Sequence, residues 1–176
     1  MTRLIPGQTP DTPIRFHLIN GTEWDLSRQS DDMPWRLVVV YRGLHCPLCK
    51  KQLSEISGKL DKFKALETSV VAVSMDTEER ANKAHQDWEL DALPIGYELS
   101  SDLIDHLGLY VSKAIKDEEP DEFTEPGLFL FKGETLHAAW VQSLPMARPE
   151  INALLSGIEF LQEKDYPARG DLKEAA

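Results

Sequence analysis

The feature of this sequence that most restricts its fold is an apolar run followed closely by two cysteines. Residues 36–53 read RLVVVYRGLHCPLCKKQL, and five consecutive apolar residues, 37–41, end at Arg42-Gly43. A short, uninterrupted apolar run is typical of a strand that is buried on both faces of a sheet. The segment after Pro47 favours a helix. The two cysteines, which are the only ones among 176 residues, therefore lie where a buried strand passes into a helix.

The spacing of Cys46 and Cys49 predicts redox chemistry. Residues three apart on the first turn of a helix share one face, which places two sulfurs within bonding reach. Cys46 is expected at the helix start, where free amides and the helix dipole lower a thiol pKa from about 8.5 into the range of roughly 3.5–7.5. Cys49, one turn further on, is expected to be more buried and less reactive. We therefore predict that Cys46 attacks a substrate and that Cys49 resolves the product.

Neighbouring residues extend this prediction. Arg42 and His45 are close to Cys46 in the sequence and are expected to stabilise its thiolate further. Leu44 and Leu48 are apolar and flank the thiol, which is expected to be exposed, so they form a candidate docking surface for a partner protein.

Two structural interpretations of the cysteines are weaker. They are either small core residues or half of a metal site, and a tetrahedral zinc site requires four ligands or three with water. The histidines at 45, 85, 106 and 137 show no paired ligand spacing. The sequence therefore predicts neither a metal nor a cofactor.

Hydrophobic periodicity outlines the remaining elements. Residues 1–13 hold three prolines and predict an extended lead-in, and Asn20-Gly21 predicts a hairpin turn. A stripe at Cys49, Leu53, Ile56, Leu60 and Phe63 predicts one helix through Phe63. Further strands are predicted at 14–18, around Trp24 to Leu26, and at 36–42, 69–75, 94–99, 128–131 and 135–141. Further helices are predicted from Thr77 to about Leu90, from Ser100 to Gly108, and from Pro149 to Leu161.

Two segments carry no clear pattern. Residues 112–125, SKAIKDEEPDEFTE, are highly charged and predict an exposed loop or a frayed helix. Residues 165–176 predict a loosely ordered C-terminal tail, which follows a single domain at 1–164.

The order of elements predicts an α/β protein. Strands that alternate with helices and end in a hairpin and a helix indicate a three-layer α/β/α sandwich on a mixed sheet, preceded by an N-terminal β-hairpin. The right-handed crossover rule places the strands at 36–42 and 69–75 in parallel and side by side.

Charge and hydropathy exclude several classes of partner. The net charge of −11 argues against nucleic acid or an anionic membrane as a partner, because both require clustered Lys and Arg. The N-terminus has no signal-peptide pattern, and no window reaches the roughly 18–20 apolar residues of a membrane span. A lone cysteine pair suits a reducing compartment, so a cytoplasmic location is predicted.

On these motifs the sequence resembles the thioredoxin superfamily, and within it the peroxiredoxin-like AhpC/TSA (redoxin) family. The resemblance covers about residues 4–163 and implies a thioredoxin-like fold. It rests on five segments: PGQTPDTPIRFHLINGTEWDL, VVVYRGLHCPLC, VVAVSMDTEERANKAHQ, PIGYELSSDLIDHLGL and PGLFLFKGETLHAAW.

The resemblance also implies roles for individual residues. Cys46 matches the attacking cysteine of peroxiredoxins and thioredoxins, whereas Cys49 matches only the thioredoxin-type resolving cysteine. Pro126 falls where thioredoxins place a cis-proline that faces the redox pair. The sequence departs from the P-x-x-x-T-x-x-C motif of peroxiredoxins, because Val39 and Gly43 occupy the proline and threonine positions, and Pro126 occupies the position of an arginine.

Either of two arginines is able to replace the missing charge. Arg42 lies next to the redox pair in the sequence, whereas for Arg148 an ordinary surface or helix-start role is favoured. The overall prediction is a thiol-dependent oxidoreductase that cycles Cys46 and Cys49 between dithiol and disulfide and reduces disulfides or peroxides. On the missing threonine and arginine, disulfide exchange is favoured.

Its partners would be a cellular thiol reductant of the thioredoxin or glutathione type. The oligomeric state stays open between monomer and homodimer. The alternative from another class is a redox-sensing or partner-binding module, in which the cysteine pair switches an interface without turnover.

Overall fold

The computed structural model describes residues 3–29 and 32–172 of the chain. The predicted lead-in, the loop before residue 36 and the tail include residues 1–2, 30–31 and 173–176, which lie outside the described residues. The strands are β1 (Arg15–Leu18), β2 (Glu23–Asp25), β3 (Trp35–Val40), β4 (Thr68–Val73), β5 (Ile95–Tyr97), β6 (Val111–Lys113), β7 (Glu122–Thr124), β8 (Gly127–Lys132) and β9 (Thr135–Val141). The α-helices are α1 (Pro47–Ser57), α2 (Leu60–Ala65), α3 (Glu78–Asp87), α4 (Ser101–Leu107) and α5 (Ile151–Glu163).

Within the described part of the chain, seven strands form one mixed sheet in the order β2-β1-β5-β4-β3-β8-β9. The central strand β3 runs parallel to β4 and antiparallel to β8, with Val40 opposite both Val73 and Gly127. The parallel pairing of β3 with β4 confirms the prediction from the crossover rule. All six residues of β3 are buried, as its apolar run predicts.

Helices cover both faces of the sheet. One core layer packs α1, α2, α3 and α5 against the face of β3 that carries Leu37 and Val39. The other packs α4 and the N-terminal hairpin against the face that carries Val38 and Val40. Apolar residues alternate between the two faces because successive strand side chains point in opposite directions. The predicted three-layer α/β/α sandwich is therefore confirmed.

The N-terminal hairpin is also present as predicted. β1 and β2 are antiparallel around the turn at Asn20-Gly21, where Gly21 has a positive φ of 82°. Phe16 and Trp24 stack across the pair with ring centroids 5.1 Å apart. Because β1 also pairs with β5, the hairpin extends the main sheet.

The single helix predicted through Phe63 is wrong, because it breaks into α1 and α2. Gly58 is the C-cap of α1, and its N–H donates to the Ser54 carbonyl at 3.0 Å. Glycine is among the weakest helix formers, so a helix ends readily there. The buried stripe survives the break, since Phe63 in α2 is fully buried.

The prediction of a loop or frayed helix over residues 112–125 is also wrong at both ends of the segment. There β6 and β7 form a separate two-stranded antiparallel sheet. Phe123 is buried in the described structure and packs against Arg42 and His45. A single buried aromatic side chain thus orders a segment whose charged middle is mostly exposed.

The end of the described chain lies close to the main body. Lys132 Nζ is 3.2 Å from an Asp165 carboxylate oxygen, and the rings of Phe160 and Tyr166 are 5.5 Å apart. The division between a domain that ends at 164 and a tail stays a prediction. Within the described residues, none of the helices is both long enough and apolar enough to cross a membrane.

Candidate active site

The candidate site lies on the segment that follows β3, residues 41–46, which we term the redox loop. Hydrogen bonding continues past the strand, since the Tyr41 N–H donates to the Val73 carbonyl at 3.1 Å. The ends of β3 and β4 and the start of β8 therefore meet at this loop. Because these strand ends lie together, segments that are distant in sequence lie close to the cysteines.

Cys46 is the N-cap of α1, as predicted. Its backbone is extended (φ −101°, ψ 106°), its Sγ accepts the Cys49 N–H at 3.2 Å, and Pro47 occupies the start of the helix. The pKa of Cys46 is lowered to about 6, first by a hydrogen bond from the Cys49 thiol. Burial opposes this effect, whereas the Cys49 amide and the charge of Arg148 support it. In a large fraction of the molecules Cys46 is therefore a thiolate near neutral pH.

Cys49 has the opposite character. It is fully buried, and desolvation raises the pKa of its thiol well above the ordinary value. The backbone N–H of Arg42 approaches its Sγ at 3.4 Å. One sulfur thus favours the thiolate and the other the thiol, which suits the predicted division into attacking and resolving residues.

Arg148 is the site residue that the sequence prediction misplaced. Its Nη2 lies 3.0 Å from Cys49 Sγ and 3.7 Å from Cys46 Sγ, although it is 102 positions from Cys46 in sequence. Nη1 donates to Gln52 Oε1 at 2.6 Å, and Nε donates to the Pro145 carbonyl at 2.7 Å. The favoured surface or helix-start role is therefore wrong. The only local sequence signal was its place just before a helix.

Arg42 supplies a second cation to the site. Its Nη1 lies 4.0 Å from Cys46 Sγ, and its Nε lies 3.2 Å from a carboxylate oxygen of Glu125. The guanidinium also sits over the Phe123 ring, 4.6 Å from its centroid. Glu125 is buried and accepts the Ser112 hydroxyl at 2.7 Å. The β6–β7 sheet thus holds Arg42 beside the sulfur.

His45 does not supply the charge that was expected of it. Its ring packs against Phe123 with centroids 4.6 Å apart, and among the described residues neither ring nitrogen has a hydrogen-bond partner. Burial, followed by the charge of Arg42, lowers the pKa of His45. The imidazole is therefore neutral at neutral pH and covers the loop without stabilising the thiolate electrostatically.

Two further expectations are wrong. The peptide bond before Pro126 is trans, so Pro126 is not a cis-proline of the thioredoxin type. The Pro126 carbonyl instead accepts the Gln142 N–H at 3.1 Å and extends the pairing of β8 with β9. The attacking sulfur is also not exposed, because only 1% of Cys46 is accessible. The half-buried Leu44 and Leu48 consequently do not border an exposed thiol.

Gly43 fills the position at which the resembled family has threonine. Its φ of 133° disfavours any side chain, and a Cβ there would lie 2.8 Å from an Asp76 carboxylate oxygen. Asp76, in turn, accepts the Leu44 N–H at 2.7 Å. The shape of the redox loop and the absence of a hydroxyl at position 43 are therefore linked.

Two cavities meet at Pro149 and Glu150, and neither cysteine lines either of them. A cleft of about 230 Å³ beside Arg148 is lined by Leu48, Gln52 and Met146, among others. A larger groove of about 520 Å³ lies between β9, α5 and residues 166–169, and neither cysteine lines it. Within 3–29 and 32–172, no group of three or more His, Cys, Asp and Glu side chains is arranged to hold a metal ion.

Comparison with known proteins identifies a family by sequence and several solved structures of similar fold. The sequence model of the AhpC/TSA family matches residues 10–136. No curated protein matches the sequence at a significant level. Among solved structures, a mutant of peroxiredoxin 6 from Arenicola marina has a TM-score of 0.77 at 14% identity, over 98% of this chain and 81% of that chain.

Two bacterial structures are similar as well. Peroxidoxin BcpB from Mycobacterium tuberculosis has a TM-score of 0.70 at 14% identity, over 90% of this chain and 99% of that chain. Peroxiredoxin Q from Xanthomonas campestris has a TM-score of 0.68 at 17% identity, over 90% of this chain and 96% of that chain. At these identities the likeness concerns the fold, and it confirms the predicted thioredoxin-like architecture.

Proposed function

The chain belongs to the AhpC/TSA family and is a thiol-dependent oxidoreductase, and from that premise we propose that it reduces a small peroxide. Cys46 is the attacking thiolate and Cys49 the resolving thiol. Arg148 and Arg42 bind the thiolate and the peroxide oxygens.

The observation that carries this proposal is an attacking sulfur that is almost inaccessible yet in contact with two guanidinium groups. Cys46 is 1% exposed, and the arginine nitrogens lie 3.7 and 4.0 Å from its Sγ. A sulfur this enclosed becomes accessible to a molecule of peroxide size with a smaller movement of the loop than a protein disulfide requires. The cleft beside Arg148 gives that molecule a place next to the cation, and neither cysteine lines this cleft. This geometry favours peroxide over the disulfide exchange that the sequence favoured.

Peroxide reduction proceeds through a sulfenic acid and then a disulfide. The Cys46 thiolate attacks one peroxide oxygen, the O–O bond breaks, and the products are a Cys46 sulfenic acid and an alkoxide or hydroxide that takes up a proton. The arginines stabilise the negative charge that moves onto the leaving oxygen. The Cys49 thiol then displaces water from the sulfenic acid to form the Cys46–Cys49 disulfide. Two equivalents of a thiol reductant restore the dithiol.

The proposal extends to the reductant, the cellular location and the oligomeric state. The reductant is a cellular thiol of the thioredoxin or glutathione type, because only thiol exchange reopens a disulfide in this way. A dithiol that must be re-reduced in each cycle suits a cytoplasmic location. The lead-in covers the edge of β9 at Leu136 through hydrogen bonds with Gly7 and Gln8. The rest of that edge offers a surface on which two chains pair as a homodimer, which light scattering on the purified protein tests.

The test compares two substrates and two variants. Wild-type protein with a thiol reductant should consume hydrogen peroxide faster than it reduces insulin disulfides. Cys46→Ser should lose all turnover, and Cys49→Ser should form the sulfenic acid but fail to close a disulfide, as intact-mass spectrometry shows after limited peroxide. Full turnover by Cys46→Ser would refute the assignment.

Protein-disulfide reduction is the second candidate. It is favoured by the C-x-x-C spacing, with the second thiol hydrogen-bonded to the first, and by Gly43, which provides no hydroxyl for a peroxide. Insulin reduction faster than peroxide consumption at equal enzyme concentration would favour this candidate.

A further inference from the structure

A buried carboxylate lies behind the redox loop. Asp76 follows β4, and its side chain is completely inaccessible. One oxygen accepts the Leu44 N–H at 2.7 Å, and the other accepts Arg80 Nε at 2.7 Å. The Asp76 N–H also bonds the Ser74 hydroxyl at 3.2 Å, which fixes the start of the turn. The carboxylate is therefore held from β4 and α3 and reaches across to the loop after β3.

Gly43 makes the contact between this carboxylate and the loop close. Its backbone adopts φ 133°, which L side chains rarely adopt, and an added Cβ would lie 2.8 and 2.9 Å from the two Asp76 oxygens. The Cys46 N–H donates to the Gly43 carbonyl at 3.1 Å. A continuous chain of contacts thus runs from Asp76 through residues 43 and 44 to the backbone of Cys46.

We propose that Asp76 is a positioning residue for the reaction. Its carboxylate accepts the Leu44 N–H and packs against Gly43, which fixes the redox loop and so holds Cys46 next to its two arginines. The inference rests on the proposed function only in taking Cys46 as the attacking residue. Asp76 touches neither sulfur in the described contacts and acts through the backbone. Asp76 also restricts the residue at position 43, because no hydroxyl-bearing side chain fits there beside its carboxylate.

The experiment measures the reactivity of Cys46 in folded variants. The rate of iodoacetamide alkylation at Cys46 is followed by mass spectrometry from pH 5 to 9, in wild type, Asp76→Ala and Asp76→Asn. Asn keeps an oxygen acceptor for the Leu44 amide but loses the charge that pairs with Arg80. No peroxide is involved, so the result is independent of the proposed substrate.

Asp25→Ala is the matched control. Asp25 is also buried, accepts a backbone N–H at 2.9 Å from Ser27 and pairs with the Nε of Arg28 at 3.5 Å. It lies in β2 at the far edge of the sheet, four strands from β3. Its removal destabilises the fold through a similar loss without touching the redox loop.

In Asp76→Ala the thiolate of Cys46 should titrate about one unit above its wild-type value of about 6. Alkylation at pH 6 should then be about fivefold slower, because the thiolate fraction falls from about one half to about one tenth. Asp76→Asn should stay within about twofold of wild type, and Asp25→Ala should match wild type. An Asp76→Ala protein that melts cooperatively and titrates like wild type overturns the proposal, as does an equal shift in Asp25→Ala.

A measurement on the wild type covers the case in which Asp76→Ala does not fold. The Leu44 amide proton should exchange with solvent much more slowly than an unbonded loop amide, because its acceptor is buried. Exchange at the rate of a loop amide would overturn the proposal. If the wild type shows no peroxide turnover but Asp76→Ala still slows alkylation of Cys46 as predicted, only the proposed function is refuted.

Discussion

Replacement of Arg148 by methionine is the change that tests the site most directly. The variant keeps a long side chain and removes a cation whose Nη2 lies 3.7 Å from Cys46 Sγ. Two unit charges at that distance interact by about 1 kcal/mol in water and by about 4.5 kcal/mol at an effective dielectric constant near 20. Arg148 is half-buried, so a value near the lower end, about 1–2 kcal/mol, applies. That value corresponds to about one unit of pKa.

The loss of Arg148 should therefore raise the pKa of Cys46 from about 6 to about 7. Alkylation by iodoacetamide at pH 6 should be about fivefold slower and should recover above pH 8, where both proteins hold a thiolate. Peroxide reduction loses in addition a charged hydrogen bond to the reacting oxygens, worth about 1.5–3 kcal/mol. This second loss, about 10- to 150-fold in kcat/KM, should persist at pH 8.

The two rates are measured by stopped-flow on the same preparations from pH 5 to 9. Arg169→Met, which removes an exposed arginine at the larger groove, is the control and should behave as wild type in both. Arg148→Lys should restore part of the alkylation rate, because it restores charge without the planar fork. An Arg148→Met protein with a wild-type pH profile and a peroxide rate within about twofold of wild type would show that the guanidinium is only structural.

Three other outcomes are expected. In reduced protein, Cys46 adds stability that is complete above about pH 9 and is lost as the pH falls through about 6, because its pKa is lowered on folding. Urea unfolding should therefore show the wild type gaining up to about 1.4 kcal/mol per pH unit over Cys46→Ser between these limits, and parallel curves would contradict this. Leu53→Ala should lower the free energy of unfolding by about 2–5 kcal/mol, since Leu53 is fully buried in α1; a loss below about 1 kcal/mol in urea would contradict this packing. Phe123→Ala should slow peroxide reduction with little change at pH 8 in alkylation, because it frees Arg42 from its aromatic support; an unchanged peroxide rate would show that the β6–β7 sheet does not position the cation.

Those parts of the fold with a local pattern were predictable. The run at 37–41 identified the central strand, and the cysteine spacing identified the helix start at which the proposed redox pair lies. Thr77 and Ser100 identified the starts of α3 and α4 by their capping hydroxyls. In each case the residues that cause the structure are neighbours in sequence, so their spacing predicts the outcome.

The remainder of the site depends on residues that meet only in the folded chain. Arg148 gives no local sign of its position beside the cysteines, since the segment before α5 must first pack against the middle of α1. Asp76 looks like an ordinary residue before a helix until the sheet places it behind Gly43. The β6–β7 sheet was missed because one buried phenylalanine outweighs a run of charges that remains in solvent. Long-range contacts of this kind produce no periodic pattern in the sequence, so they could not be predicted from it.

The position of Arg148 has a consequence for the order in which the site is made. A chain leaving the ribosome presents its cysteines about 100 residues before this arginine. The strand before the redox loop also pairs with β8, which is synthesised late. During most of synthesis Cys46 is an ordinary, weakly reactive thiol. The complete site therefore requires that residues 41 to 148 have been made and have folded together.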